Sequence, residues 1–237
     1  MTKHIVEAFE AELERLRKSI AEMGNLAGQQ LRSALDAVRD GDESLAMRVV
    51  ERDREIDEME RRMAHDAVTL LALRQPMASD LRALIAVIKI PADLERIGDL
   101  AKSIAKRAPL FRGGAPRSAL RRLTSMCELV LDQLEHVLGA YTSQDADAAA
   151  RVWRQDNEVD DWHSSLFREL LTYMMEDART IGTCTHLLFM AKNVERMGDH
   201  CTNIAETTYY MITGSPLPES RPKGADVSTI VLEANAR

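Results

Sequence analysis

Apolar side chains near the start of the chain recur at Phe9, Leu13, Leu16, Ile20 and Met23, in steps of four, three, four and three. That rhythm puts them on one helical face and predicts a helix over about residues 4–39. A break at Asp40-Gly41-Asp42 separates it from a second pattern, Leu45, Val49, Ile56, Met59, Met63 and Leu70, which ends before Arg74-Gln75-Pro76. Ser79-Asp80 are placed to cap a third helix, which carries Leu81, Ile85, Ile88 and Ala92 on one stripe and runs to about Arg107. Pro91 falls inside it and predicts a kink near residues 87–91.

The segment from Pro109 to Pro116, with Gly113-Gly114 at its centre, stops any helix. Beyond it the same order returns, with helices expected at about 117–141, 145–178 and 183–212. The repetition extends to residues. Leu94-Glu95-Arg96-Ile97-Gly98-Asp99 matches Val194-Glu195-Arg196-Met197-Gly198-Asp199 at an offset of 100, and Asp53-Arg54-Glu55-Ile56-Asp57 matches Asp156-Asn157-Glu158-Val159-Asp160 at an offset of 103. A duplicated unit explains both series. The expected fold is all-α, two tandem three-helix bundles at 1–108 and 117–213, joined by a linker at 109–116 and followed by a tail at 214–237.

Composition agrees with long helices. The 237 residues include only 11 Gly and 7 Pro, with no proline before Pro76 or between Pro116 and Pro216, which excludes a sheet-rich fold. A net charge of −7 argues against an electrostatic grip on nucleic acid. No run approaches the ~18–20 apolar residues of a membrane span, and the first residues lack the apolar core of a signal peptide, so the expected location is cytoplasmic. Cys127, Cys184 and Cys201 form no C-x-x-C spacing and read as reduced, packed thiols.

The candidate chemistry lies in four acid-x-x-x-acid pairs: Asp53 with Asp57, Glu95 with Asp99, Asp156 with Asp160, and Glu195 with Asp199. Carboxylates four apart share a helix face and repel by a few tenths of a kcal/mol. Glu95 and Asp99 continue the stripe Leu81, Ile85, Ile88, Ala92, and so are expected to face neighbouring helices. If the second and third helices of each unit pack together, four carboxylates converge, and a hard cation would hold them. Oxygen-only ligation suits Mg2+, Mn2+, Ca2+ or iron better than zinc. The alternative is that the acids pair with Arg52, Arg54, Arg96, Arg154 and Arg196 on solvated faces. The histidines add no di-iron signature, since only Asp160-x-x-His163 approaches the needed spacing, once and with Asp.

Three features together carry a family resemblance: the duplicated Glu-Arg-x-Gly-Asp segments, Arg74-Gln-Pro-x-Ala-Ser-Asp-Leu-Arg82, and Leu171-Thr-Tyr-Met-Met-Glu-Asp-Ala-Arg-Thr-Ile181. With them the chain resembles the PhoU family of bacterial phosphate-transport accessory proteins over about residues 5–212. The resemblance implies a non-enzymatic cytoplasmic negative regulator of the phosphate-starvation response. Such a protein links the Pst transporter, through its ATPase subunit PstB, to the sensor histidine kinase PhoR. It also implies a homodimer and only peripheral association with the membrane complex. Metal ions, with Mg, Mn or Fe ahead of Zn, would lie on Asp53, Asp57, Glu95 and Asp99 in the first half and on Asp156, Asp160, Glu195 and Asp199 in the second. Two readings compete with the regulator. A carboxylate-bridged metalloenzyme lacks the paired Glu-x-x-His motifs, and a general helical scaffold leaves the acid pairs without a role.

Overall fold

The computed structural model describes residues 2–111 and 116–217, apart from the side chains of residues 2–8 and of Asp156. The first half is α1 (Thr2–Asp40), α2 (Glu43–Arg74) and α3 (Ser79–Ala105), closed by a 3-10 turn at Ala108–Phe111. The second is α4 (Arg117–Ser143), α5 (Ala146–Arg154), α6 (Asp156–Glu176), a 3-10 turn at Ala178–Thr180, and α7 (Ile181–Thr213). No strand occurs among the described residues.

The amphipathic reading of α1 holds: Phe9, Leu13, Leu16, Ile20 and Met23 are all buried. The helix ends where Gly41 takes a positive φ of 64°, and Asp42 then caps α2 by accepting from the Leu45 amide at 2.9 Å. α3 departs from expectation in two ways. Its N-cap is Ala78, in a strained conformation (φ 50°, ψ −113°) with no side-chain cap, so Ser79 and Asp80 open the helix instead of capping it. Its buried face is Leu84, Val87, Ile90, Leu94, Ile97, Ala101 and Ile104, whereas Leu81 and Ala92 are exposed and Ile85 and Ile88 only half-buried. The reason is crowding: α3 packs on α1, α2 and α7 at once, and its broad apolar arc outcompetes the narrower stripe. The helix continues through Pro91, which is itself buried.

The helix expected over 145–178 is broken at Gln155, which separates α5 from α6. The Gln155 carbonyl accepts from the Glu158 amide at 3.1 Å and from Gln133 Nε2 on α4 at 3.3 Å, so it is taken from the regular ladder. Trp153 is anchored beside the break, its indole N–H donating to Glu206 on α7 at 2.9 Å.

α3 and α7 run antiparallel along the junction of the halves. Arg82 Nε donates to the Met211 carbonyl at one end, Asp93 meets His200 and Asn203 in the middle, and Arg107 lies over the Phe189 ring at the other. Residues related by the offset of 100, Asp93 with Asn193 and Ser103 with Asn203, exchange partners across this seam: Asn203 donates to Asp93, and Asn193 donates to Ser103. A pseudo-twofold axis therefore passes close to Gly98 and Gly198. α1 and α4 form a second junction at Gly24, where a Cβ would stand 2.3 Å from Leu138 Cδ1. One continuous apolar core runs through both halves. The three cysteines are buried, and burial pushes the Cys127 thiol up to about 12, which leaves it unreactive. Among the described residues no helix is long and apolar enough to cross a membrane.

Candidate acidic sites

In the first half, α2 supplies Asp53 and Asp57, and α3 supplies Glu95 and Asp99. Asp53 is only 2% exposed, because it replaces an apolar residue on the α2 core face between Val49 and Ile56. Burying a carboxylate is costly unless its oxygens are satisfied. Here both are: Oδ1 accepts from Gln30 Nε2 on α1 at 3.1 Å, and Oδ2 accepts from Lys102 Nζ on α3 at 2.5 Å. Lys102 also donates to Asp99 Oδ1 at 3.1 Å, and these two carboxylates hold its ammonium well above the ordinary lysine range. Arg96 lies 3.4 Å from Glu95 and 3.5 Å from Asp99. The Glu95 carboxyl is raised by burial first, and further by Asp99, Asp57 and Glu60. The first site is thus a carboxylate cluster neutralised mainly by a lysine of its own chain.

In the second half, Asp160 and Asp199 are half-buried, and Glu195 is 14% exposed. Burial, with Asp199 and Asp160 behind it, raises the Glu195 carboxyl, while Lys192 works in the opposite direction. Lys192 Nζ donates to Glu195 Oε1 at 2.7 Å, but the other oxygen, Oε2, is buried without a hydrogen-bond donor. Gln133 Oε1 is likewise buried and without a donor, and it lies 3.6 Å from where a Gly198 Cβ would stand. The Asp156 side chain lies outside the described residues.

Gly98 and Gly198 let α2 and α6 approach α3 and α7. A Cβ on Gly98 would be 2.9 Å from Ile56 Cδ1 and 3.4 Å from Asp53 Oδ1, and one on Gly198 would be 3.5 Å from both methyls of Val159. The sequence-predicted acids are therefore brought together within each half. Asp57 with Glu95 and Asp99 forms one electrostatic group, and Asp160 with Glu195 and Asp199 forms the other. Among the described residues, however, no three His, Cys, Asp or Glu side chains draw close enough to hold a metal ion.

The donor sets differ in their fit to a cation. In the first half both oxygens of the deepest acid are already taken. The amide oxygens Gln30 Oε1 and Gln133 Oε1 are buried without a donor in both halves, so what sets the second apart is the buried carboxylate oxygen Glu195 Oε2, which has no donor and suits an oxygen-seeking cation.

Four participants lie outside the acid motifs: Gln30, its repeat Gln133, Lys102 and Lys192. Gln30 and Gln133 carried a legible signal, since each is a polar residue within an apolar helix face and they stand at the same offset of 103 as the acids. Lys102 and Lys192 carried none, because Thr202 and Ala92 stand at their repeat positions.

The PhoU domain profile matches residues 20–108 and again 123–208, one copy on each half. The chain belongs to the PhoU family. A phosphate-specific transport system accessory protein PhoU homolog of Rhizobium meliloti is 49% identical over 228 residues, covering 96% of each chain. The protein of that description from Escherichia coli is 40% identical over 214 residues, 90% of this chain and 89% of its own. The crystal structure of PhoU from Pseudomonas aeruginosa superposes with a TM-score of 0.83 at 39% identity, covering 87% of this chain and all of that one. The two matched PhoU segments contain the two acid sites, so their differences are differences between two copies of one PhoU unit.

Proposed function

We propose that this PhoU protein is a non-catalytic accessory of phosphate-specific transport. In this reading it represses the phosphate-starvation response by coupling the Pst transporter, through PstB, to the sensor kinase PhoR. The observation that carries the reading is near-full-length identity, across both repeats, to relatives that bear the phosphate-specific transport accessory name. The surface adds support. Met77 is 80% exposed in the α2–α3 turn and Met175 is 87% exposed at the end of α6. Leu73 and Leu81 accompany the first, and Leu171 and Ile181 the second. Apart from Leu73, which directly precedes Arg74, both clusters fall in the family-marking segments, and exposed pliable apolar tips suit docking better than packing. An adapter of this kind transmits a signal when a partner binds its two states differently.

Metal binding belongs to the same proposal, with Asp160, Glu195, Asp199 and the Gln133 amide oxygen as the site that would hold a hard cation, and Asp156 beside them in sequence. The bound ion would supply positive charge to the buried oxygens and fix α6 against α7. The first set, Asp53, Asp57, Glu95 and Asp99, would take a cation only if Lys102 gave way.

The test is an alkaline phosphatase reporter under plentiful phosphate in a bacterium carrying the gene, with and without it. Derepression on deletion, restored by the wild-type copy, is the expected result. An unchanged reporter, together with no capture of the PhoR cytoplasmic part with or without Mn2+, would overturn the reading.

A further inference from the structure

Between α3 and α7 lies a groove of about 390 Å3, separate from the buried oxygens of either acid site. Arg96, Lys102 and Lys106 line it from α3 and its C-terminal cap, Arg196 and His200 line it from α7, and Asp99 is the acid in its wall. Four fixed positive charges thus face one carboxylate in a chain whose net charge is −7. A concave wall in which cations outnumber the one carboxylate focuses that excess, so the groove favours anions against the overall charge of the molecule.

These cations are not equally committed. Lys102 is held by Asp53 and Asp99, and in return it offsets part of the negative charge of both. Arg96 stands 3.4–3.5 Å from Glu95 and Asp99, beyond good hydrogen-bond length, and so keeps its guanidinium donors. Arg196 occupies the repeat position of Arg96, but its neighbour Glu195 is taken by Lys192, a residue the first half replaces with Ala92. Among the described residues the side chains of Arg196 and Lys106 have no ion pair, and both face the groove. The pseudo-twofold brings the two motif arginines to one cleft, and His200 is held in its wall by Nδ1 against Asp93 at 2.8 Å.

We infer that this groove binds a multiply charged phosphate anion of the pyrophosphate or oligophosphate class. Guanidinium forks match pairs of phosphate oxygens, and lysines add point charge. The volume falls within the roughly 300–1,000 Å3 of small-ligand sites, more than one orthophosphate needs. The inference requires neither a metal ion nor the proposed partners.

The test is calorimetric titration of the full chain in EDTA with pyrophosphate, tripolyphosphate, orthophosphate and sulfate. Saturable binding of the first two, with the last two weaker, is expected. Arg196→Ala/Lys106→Ala should weaken it by about tenfold or more, the effect of removing charged hydrogen-bond donors. Arg15→Ala/Lys18→Ala, an equal charge change on α1, should leave it unchanged, with circular dichroism confirming helix content in each variant. Absence of saturable binding at millimolar ligand, or equal affinity in both double variants, overturns the inference. So does binding that appears only with added Mg2+ or Mn2+ and is lost in Asp199→Asn, which would place the anion on a metal.

Discussion

The two acid sites begin from the same motif and reach different electrostatic solutions. In the first, Asp53 is buried and closed off by Gln30 and Lys102, so the cluster carries its own cation. In the second, the position of Lys102 is Thr202, and the available lysine, Lys192, satisfies only one oxygen of Glu195. Glu195 Oε2 remains a buried carboxylate acceptor without a donor, while the amide oxygens of Gln30 and Gln133 lack one in both halves alike. The packing differs in the same sense: Ile56 presses on Gly98, whereas the smaller Val159 leaves room at Gly198. A duplicated motif therefore does not make a duplicated site. The residues that divide the two are not the acids themselves but the lysines and Thr202 on the neighbouring turns of α3 and α7, with Ile56 and Val159 between the acids of α2 and α6.

The largest effect should come from Lys102→Ala. It leaves a carboxylate 2% exposed with one amide donor, and removing one partner of a buried pair costs about 3 kcal/mol. Lys192→Ala, at a lysine 55% exposed, should cost about 1 kcal/mol or less. Urea denaturation of metal-free protein measures both, and equal losses would erase the contrast. The pH dependence sharpens it. Because Asp53 and Asp99 raise the folded-state pKa of Lys102, its contribution is full below the unfolded lysine value of 10.5 and is lost as pH rises through the folded value. Wild type should lose stability there, and Lys102→Ala should lack that loss.

Next in size, Gly98→Ala should destabilise by about 1 kcal/mol through overpacking against Ile56. Gly198→Ala meets nothing closer than 3.5 Å, and should gain about 0.5–1 kcal/mol from the better helix former. Opposite shifts in Tm are the readout, and shifts of one sign would contradict the packing difference. The smallest effect is expected at Glu195. Burial raises its folded-state pKa, so its ionisation costs the folded state, and stability falls as pH rises from the unfolded value of 4.5 through the folded one. Metal-free Glu195→Gln should therefore gain on wild type at pH 7 and not at pH 4, in paired denaturation curves.

Much of the fold was legible because helices announce themselves by period, and the offsets of 100 and 103 exposed the duplication. The α3 stripe misled because a helix packed on three sides buries more than one stripe, and Leu81 and Ala92 fell on the side left over. The break at Gln155 was invisible because no proline or glycine marks it; its cause is a tertiary hydrogen bond from Gln133. At the site, the acids were legible as a repeated spacing, but their counter-cation was not. Arginines adjacent in sequence were the expected partners, whereas Lys102, one turn beyond Asp99, reaches the deepest carboxylate. Side-chain reach across two helices leaves no periodic trace.

We propose that the second acid site is open to a cation and that the first is closed by Lys102. The most direct test is Mn2+ titration of chelator-treated protein, followed by elemental analysis, on wild type, Asp99→Asn and Asp199→Asn. Wild type and Asp99→Asn should retain the same metal content, and Asp199→Asn should lose it. Equal losses in both variants, loss in Asp99→Asn alone, or no metal on wild type would contradict it.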